Sequence, residues 1–446
     1  MLRLFHLPSY NDRLADRPVV LGRLFGFSAS SQSEAAEHDS RPKTGGDHMT
    51  DRLPLLSAQL TFGLDAQRAG RRGTVTMMFR ASPGHLSTAD VRQVLQSVVL
   101  RNPALSYRIR FSRGAAYQEW YPEECDFAEL HTAGADAVPG CVTEVIEEFE
   151  TSLDGAPMAA RLIRSPESDN LLLVLDHALV DEQSMLLIKR QLAAPSAPDD
   201  SQLARYQAAI HDRKAFEDAA ANGPGIKFWA DRLEAAGEFP RATGRTTRVI
   251  PIDTLPSVAI PRSFRGSLFP YVLFSIHRAL RDVAEPGPSV IGYPWGGRNG
   301  AYADVVGCFM NTVISLDPPG ARQTPDAAGD FVRGWYREID HADVPFPAVT
   351  ALGSTFSGSV TALLSYTHAG ERTVRIAGVP VVEVTSTHSR PPEVCSFMAA
   401  AQVRDEELHL RLLLDEEIAG YGAQEFGSRW RHWLTTAISS FPERKP

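Results

Sequence analysis

The stretch LLLVLDHALVDEQSMLLI, residues 171–188, sets one histidine and two acidic side chains between two apolar runs. Buried ionisable groups are costly unless they are paired or hydrogen-bonded, so an ordinary core segment does not carry His177 flanked by Asp176 and Asp181. The first run is almost wholly apolar, which is typical of a strand buried on both faces. The stretch therefore predicts a buried strand that ends at Asp176, a polar loop over 177–181 and a following helix.

The chain has 446 residues, which exceeds the size at which one hydrophobic core usually stops growing, so we expect two core-bearing halves. Helix and strand patterns mix in both halves without a regular βαβ alternation, which favours an α+β fold. Pro and Thr become frequent near residue 239, as in a linker. We predict a flexible N-terminal extension over 1–52, an N-terminal lobe over 53–238 and a C-terminal lobe over 239–446.

Composition and missing motifs exclude several classes of function. A formal net charge of −9 argues against nucleic-acid binding, which needs clustered Lys and Arg. No apolar run is long enough to span a bilayer, so we expect no membrane span. The four cysteines lack CxxC spacing, which favours a reduced cytoplasm over a zinc ribbon or disulfide framework. Without an HExxH motif, a P-loop or GxGxxG, the sequence predicts neither a metal site nor nucleotide binding.

The loop after the buried strand is the candidate site. An imidazole titrates near neutrality, so His177 suits a general base or positioning group that acts on an amine or hydroxyl nucleophile. Asp181 follows after three residues on the same loop, where a distant cation can reach it. HxxxD by itself also fits a satisfied core histidine, and from the loop alone both interpretations stay open.

Four further stretches accompany the loop in a characteristic order. Together the five are LPLLSAQ (53–59), RNPALSYRIRF (101–111), DHALVDEQS (176–184), VIGYPWGGRNGAYADVVGCFMNTVISL (290–316) and DVPFPAVTALG (343–353). In this order, and over nearly the whole of residues 53–439, the chain resembles the condensation-domain family of nonribosomal peptide synthetases and its acyltransferase relatives. The signature of that family is HHxxxDGxS, and the expectation is a free-standing member.

The resemblance implies two chloramphenicol-acetyltransferase-like lobes, arranged as a V-shaped pseudo-dimer with a tunnel between them. His177 matches the second, catalytic histidine of the signature. Asp181 matches its structural aspartate, which pairs with an arginine in the family, and Arg298 in the matching GGR turn is the candidate partner. Asn311 matches an asparagine near the tunnel, where it either orients a substrate carbonyl or makes a strand-end hydrogen bond. Further candidates for the tunnel wall are Asp176, Ser184 and Trp295.

The resemblance also implies an activity: attack of an amine or alcohol on an acyl thioester in natural-product biosynthesis, such as antibiotic biosynthesis. The expected partner is an acyl or peptidyl carrier protein, whose phosphopantetheine arm presents the donor; coenzyme A is the other possible carrier. No cofactor is expected to be bound by the chain itself. GxSxG is absent, so the sequence does not favour a covalent acyl-enzyme.

Two positions depart from the signature. Asp176 stands in place of the first histidine, and Glu182 in place of the glycine. Degenerate loops of this kind occur in family members that no longer catalyse and instead dock an oxygenase or a carrier protein, which is the second hypothesis. The pattern from Asp176 through Asp181 to Ser184 also resembles the heterocyclisation branch. Because that branch normally lacks the histidine retained here as His177, it ranks third.

Overall fold

The computed structural model describes the chain from residue 52 to residue 439 with several gaps. The residues left out of that range are 113, 122–124, 198, 240–249, 253–254, 265, 285–286, 299, 318–326, 354–355, 357, 359, 369–372, 385–396 and 415–419. The N-terminal extension predicted over 1–52 therefore lies outside the described residues, except for Arg52. Much of the predicted linker after residue 239 lies outside them as well.

Helices and strands alternate irregularly along the described residues. The α-helices are α1 (Ser57–Ala69), α2 (Thr88–Arg101), α3 (Val138–Thr151), α4 (Glu182–Gln191), α5 (Ser201–Ala221), α6 (Pro224–Ala236), α7 (Phe269–Val283), α8 (Ala327–Ile339), α9 (Phe346–Thr350) and α10 (Ala423–Ser439). The first strands are β1 (Arg52–Pro54), β2 (Thr74–Ala81), β3 (Tyr107–Ser112), β4 (Ala115–Trp120), β5 (Asp126–His131), β6 (Met158–Arg164), β7 (Asp169–Asp176) and β8 (Ile250–Ile252). The later strands are β9 (Val258–Ala259), β10 (Ser289–Trp295), β11 (Asn311–Asp317), β12 (Ala362–His368), β13 (Thr373–Ile376), β14 (Val379–Val384), β15 (Phe397–Arg404) and β16 (Glu407–Leu414).

The first large sheet has the order β13-β14-β2-β7-β6-β5, with β7 between two antiparallel neighbours. Leu171, Leu173 and Leu175 face a core that also contains the apolar stripe of α2. Leu172 and Val174 face the opposite core, which contains the apolar side of α3. Alternate residues thus enter different cores because side chains alternate across a strand. This arrangement confirms the prediction of a strand buried on both faces.

The second large sheet has the order β11-β10-β12-β15-β16-β8, and β9 also pairs with β16. It mixes parallel pairs, β10 with β12 and β12 with β15, with antiparallel ones. Helices α7 and α10 contribute to its core, where Trp430 is fully buried and its indole donates to the Ser275 hydroxyl. A third, small sheet has the order β1-β4-β3. Mixed sheets covered by helices confirm the predicted α+β class.

Two elements link the halves of the chain. Strands β13 and β14 follow residue 239 in sequence, yet β14 pairs with β2 of the first sheet, Val382 opposite Arg80. Helix α5 buries Tyr206 in the core of the first sheet, while its Arg205 pairs with Asp304 in the loop after β10. The boundary at 239 stays a prediction, and the first sheet takes strands from both sides of it. None of the helices among the described residues is long and apolar enough to cross a membrane.

Candidate active site

The candidate loop lies at the end of β7, as the sequence predicts. Beyond Asp176 the chain turns, and α4 begins with Glu182. Asp181 is the N-cap residue of this helix, because its Oδ1 accepts a hydrogen bond from the Ser184 backbone N–H at 2.9 Å. The residue that matches the structural aspartate therefore also ends the loop and starts the helix.

His177 is held at both its backbone and its ring. Its backbone N–H donates to the Gly73 carbonyl at 3.0 Å, and its Nδ1 lies 2.9 Å from the Val180 carbonyl oxygen. A carbonyl oxygen only accepts, so Nδ1 carries the proton and Nε2 keeps its lone pair. Burial lowers the pKa of His177 to about 4, against the opposing effect of the Val180 carbonyl. The imidazole is therefore neutral at pH 7, in the tautomer that a base acting through Nε2 requires.

The ring of His177 is covered by an aromatic side chain of α1. Phe62 stacks on the imidazole with ring centres 4.5 Å apart and planes 27° apart. Each residue is only 4% exposed. Phe62 also packs with Ala178 and Cys308, so residues from both halves of the chain surround the loop. Among the described residues Nε2 has no hydrogen-bond partner.

The second half of the chain binds the loop through Asp181. Arg298 Nη1 lies 2.6 Å from Asp181 Oδ2, and the same oxygen accepts the Phe309 backbone N–H at 3.0 Å. Both side chains of this ion pair are nearly inaccessible to solvent. The pairing that the sequence predicts is present in the structure. Because both carboxylate oxygens accept hydrogen bonds, Asp181 is suited to hold the loop in place.

Ser184 adds further hydrogen bonds between α4 and the second half of the chain. Its hydroxyl donates to the Gly307 carbonyl at 2.7 Å and accepts from the Gly307 N–H at 2.9 Å. It also accepts from Arg298 Nη2 at 2.6 Å. The hydroxyl is fully buried and its donor and acceptor capacity is used. The structure therefore places Ser184 in the contact between the halves, whereas the sequence suggests a place in a tunnel wall.

Asp176 has a buried cation as its partner. Its Oδ1 accepts the Ala178 N–H at 2.9 Å, and its Oδ2 lies 3.5 Å from Arg72 Nη1. Burial raises the pKa of Asp176, and the Arg72 charge partly opposes this rise. Arg72 also donates to the carbonyl oxygens of Phe149 and Ala156, each at 3.0 Å. The loop is thus fixed at its first residue by the N-terminal half and at its last residue by the C-terminal half.

Trp295 and Asn311 lie opposite each other in the β10–β11 pair. The Asn311 amide nitrogen donates to the carbonyl oxygens of Ala342 and Val344, each at 2.8 Å, and its oxygen accepts the Phe346 N–H at 3.1 Å. Both amide hydrogens are used, which favours the strand-end hydrogen bond over contact with a substrate carbonyl. Trp295 is partly buried against the core of the second sheet, as in the packing interpretation.

Two small cavities flank Phe62. One, next to β3, contains about 470 Å³ of free space including solvent at its mouth. The other, at the start of β11, contains about 290 Å³ by the same measure. His177 is not among the described residues that line these two cavities.

No protein-family model matches this sequence, and no curated protein matches it. Solved structures do. The X-domain in its complex with OxyB from teicoplanin biosynthesis has a TM-score of 0.69 at 16% identity, over 90% of this chain and 96% of that one. A variant of the starter condensation domain of rhizomide synthetase, in complex with C8-CoA and Leu-SNAC, has a TM-score of 0.67 at 14% identity, over 90% of this chain and 98% of that one. The chain has the condensation-domain fold. The epimerization domain of tyrocidine synthetase B has a TM-score of 0.65 at 15% identity, covering 87% and 97%.

Two residues at the centre of this condensation-domain fold, Arg72 and Phe62, are not predicted from the sequence. A signal for Arg72 exists, because β2 and β7 pair with Thr74 opposite Asp176, and RR at 71–72 lies one residue before the start of β2. A buried aspartate at a strand end needs a nearby cation, and the start of the neighbouring strand is where to look for it. Phe62 has no comparable signal, because its contact with His177 depends on how α1 packs over the loop.

Proposed function

We propose that this chain catalyses the condensation of an acyl thioester with an amine or alcohol. The observation that carries the proposal is the state of His177: a neutral imidazole whose Nδ1 proton is donated to Val180 and whose Nε2 has no hydrogen-bond partner among the residues that the structure describes. A base of this kind takes or steers the proton of the nucleophile as it attacks the thioester carbonyl. The new C–N or C–O bond forms, the C–S bond breaks, and the proton ends on the leaving thiolate.

The rest of the loop positions this base. Asp176 with Arg72 and Asp181 with Arg298 are buried pairs that anchor the loop at opposite ends. Catalysis by proton transfer depends on geometry to within fractions of an ångström, so a loop fixed from two sides is what the reaction needs. Ser184 is bound to Gly307 and Arg298, which supports direct attack on the thioester without an acyl-serine intermediate.

We assign the donor to a phosphopantetheine thioester, presented by an acyl or peptidyl carrier protein or by coenzyme A. The similarity to a starter condensation domain that binds C8-CoA and Leu-SNAC supports such a donor. The acceptor is a small amine or alcohol. Cys125, Cys141 and Cys308 are free thiols among the described residues, which supports the proposed place of the reaction in a reducing cytoplasm.

A second candidate function is a docking module that recruits a carrier protein or an oxygenase. Two observations favour it: the burial of His177 beneath Phe62, and the fold similarity to an X-domain in complex with OxyB. Glu182, which replaces the glycine of the signature, is exposed at the start of α4 and adds a charge beside the loop. The two candidates differ in whether His177 is used chemically.

The test offers the full chain acyl-pantetheine and acyl-carrier donors together with candidate amines and alcohols, and follows products by intact mass. His177→Ala is compared with His131→Ala, whose side chain is 73% exposed at the far edge of the first sheet. Product lost in His177→Ala but kept in His131→Ala supports condensation. Absence of product in the wild type, with tight binding to a carrier protein or an oxygenase, supports the docking module. A product lighter by one further water supports heterocyclisation.

A further inference from the structure

Phe62 lies between the two cavities that approach His177. The cavity next to β3, called here the β3-side cavity, is bounded by Phe62, Ile109, Phe111 and Leu179 among others. The cavity at the start of β11, the β11-side cavity, is bounded by Ala58, Thr61, Phe62, Met310, Thr312 and Phe346 among others. Among the residues that the structure describes, Phe62 is the one residue common to both linings. Its side chain is therefore the partition between them.

The same side chain covers the imidazole. The stacked rings of Phe62 and His177 are 4.5 Å apart, and both residues are almost wholly buried. One aromatic ring thus separates two spaces from each other and shields the candidate base from both. A reaction between two substrates at His177 requires both spaces to reach the imidazole at the same time.

We infer that Phe62 is a gate whose rotation joins the β3-side and β11-side cavities into one passage past His177. The inference rests on the proposed condensation reaction, because two reactants must approach one base from different directions. In the closed position recorded here, the Phe62 ring stacks on the face of the imidazole and stands between the two cavities. Phe62 is accordingly an access-controlling residue and makes no bond to the reacting atoms.

The contacts of the two rings indicate which of them moves. His177 is fixed by its hydrogen bonds to Gly73 and Val180, whereas an apolar ring such as Phe62 is held by dispersion contacts alone. The helix backbone is held close to β3, since a Cβ on Gly63 would lie 2.9 Å from the Phe111 ring. Gating therefore consists of a side-chain rotation on a fixed helix and requires no displacement of α1.

The test measures exposure of the imidazole directly, without relying on turnover. Diethyl pyrocarbonate acylates the free nitrogen of a neutral imidazole, and peptide mass spectrometry gives the rate at each histidine of the full chain. We expect Phe62→Ala to raise the rate at His177 by about tenfold or more, and Phe62→Leu to raise it less, because a smaller side chain leaves the passage open for longer. His131 reports the rate of an exposed histidine, and the fully buried His277 reports global opening.

Phe127→Ala is the matched control, because it removes the same kind of ring from a buried position on β5, in a core cluster that does not include Phe62. We expect it to leave His177 slow to react. Equal rates at His177 in Phe62→Ala and the wild type overturn the gate, and so does an equal rise in Phe127→Ala. Reactivity of His277 in Phe62→Ala would show that this variant opens globally, and Phe62→Leu is then compared with the wild type instead. An unchanged rate at His177 in Phe62→Leu overturns the gate. A rise at His177 without a rise at His277 supports it.

Parallel acyl-transfer assays separate the gate from the proposed function. If His177 becomes reactive in Phe62→Ala while neither the wild type nor the variant forms product, the gate stands and condensation fails. If the wild type forms product while His177 reacts at the same rate in the wild type and in Phe62→Ala, the result supports condensation and overturns the gate. When both hold, we expect Phe62→Ala to accept bulkier donors than the wild type, since the partition is gone.

Discussion

Asp181 and Arg298 are 117 residues apart in the chain, yet Oδ2 of the first lies 2.6 Å from Nη1 of the second. The Asp181 carboxylate also caps α4 through Ser184 and binds the Phe309 backbone. One carboxylate thus ties together the candidate loop, the helix after it and the opposite half of the chain. The position of His177 depends on this contact, although the contact includes no atom of His177.

Removal of either partner should destabilise the protein strongly. Asp181→Ala leaves the Arg298 guanidinium buried without its counter-charge, and we expect a loss of about 3–5 kcal/mol in the free energy of unfolding. Arg298→Ala should cost a similar amount. Urea unfolding of each variant gives the loss. The control is Asp330→Ala, because Asp330 pairs with Arg333 at the surface, where the side chains are 66% and 61% exposed and the expected loss is below about 1 kcal/mol.

The second glycine of the GGR turn should not accept a side chain. A Cβ on Gly297 would lie 2.1 Å from the Phe309 carbonyl oxygen and 2.7 Å from Arg213 Cζ, so backbone must shift to admit it. We expect Gly297→Ala to lose about 2 kcal/mol or more of stability and to displace the neighbouring Arg298. Gly300→Ala, three residues on, has open space around its Cβ and should be close to neutral. Equal melting temperatures for the two variants would contradict the prediction.

Stability should depend on pH through two buried histidines. Burial lowers the pKa of His177 to about 4 and that of His277 to about 3, from an ordinary value of 6.5. Below pH 6.5 the unfolded chain binds protons that the native chain does not, so each histidine makes the protein less stable as the pH falls towards its folded pKa. Between pH 7 and pH 5 the expected contribution is about 2 kcal/mol for each.

Difference measurements isolate these contributions. Burial raises the pKa of Glu338 to about 7, which acts in the opposite direction over the same range, so the wild-type curve alone does not separate the groups. His177→Gln and His277→Gln should each reduce the loss of unfolding free energy between pH 7 and pH 5, measured in urea at both values. A His177→Gln curve parallel to that of the wild type would show that the imidazole is not held neutral.

Asn311 should prove structural. Asn311→Ala leaves the carbonyl oxygens of Ala342 and Val344 and the N–H of Phe346 without their partner, with an expected loss of about 1–3 kcal/mol. Asn311→Asp should cost more, since a carboxylate then faces two carbonyl oxygens. Asn222→Ala, which removes an exposed amide bonded to the Asp218 carbonyl, is the control and should lose less than about 0.5 kcal/mol. Reduced acyl transfer at unchanged stability in Asn311→Ala would instead assign it a role in binding substrate.

Local sequence patterns determined the elements that carry the site. The apolar run over 171–175 predicts a strand buried on both faces, and the structure confirms it. Apolar residues at helical spacing predict a final helix over Ala423–Ser439, and α10 occupies those residues. The position of His277 on an apolar helical stretch predicts a core or boundary residue, and this histidine is fully buried between Ser289 and Ser315. These predictions succeed because apolar side chains repeat every 2 residues in strands and every 3.6 residues in helices, so a short window of sequence is enough to detect the pattern.

Tertiary structure decided what surrounds His177. Arg72 as the partner of Asp176, Phe62 over the imidazole and Ser184 bound to Gly307 all join segments separated by about 100 residues. Such contacts follow from strand register and helix packing, which no short window of sequence contains. The sequence alone determined that a histidine suited to act as a base follows a buried strand, because the residue type of His177 and its spacing from the apolar run are local features of the chain. Whether the base is open or covered was decided by the packing of α1, because burial is a property of the assembled core.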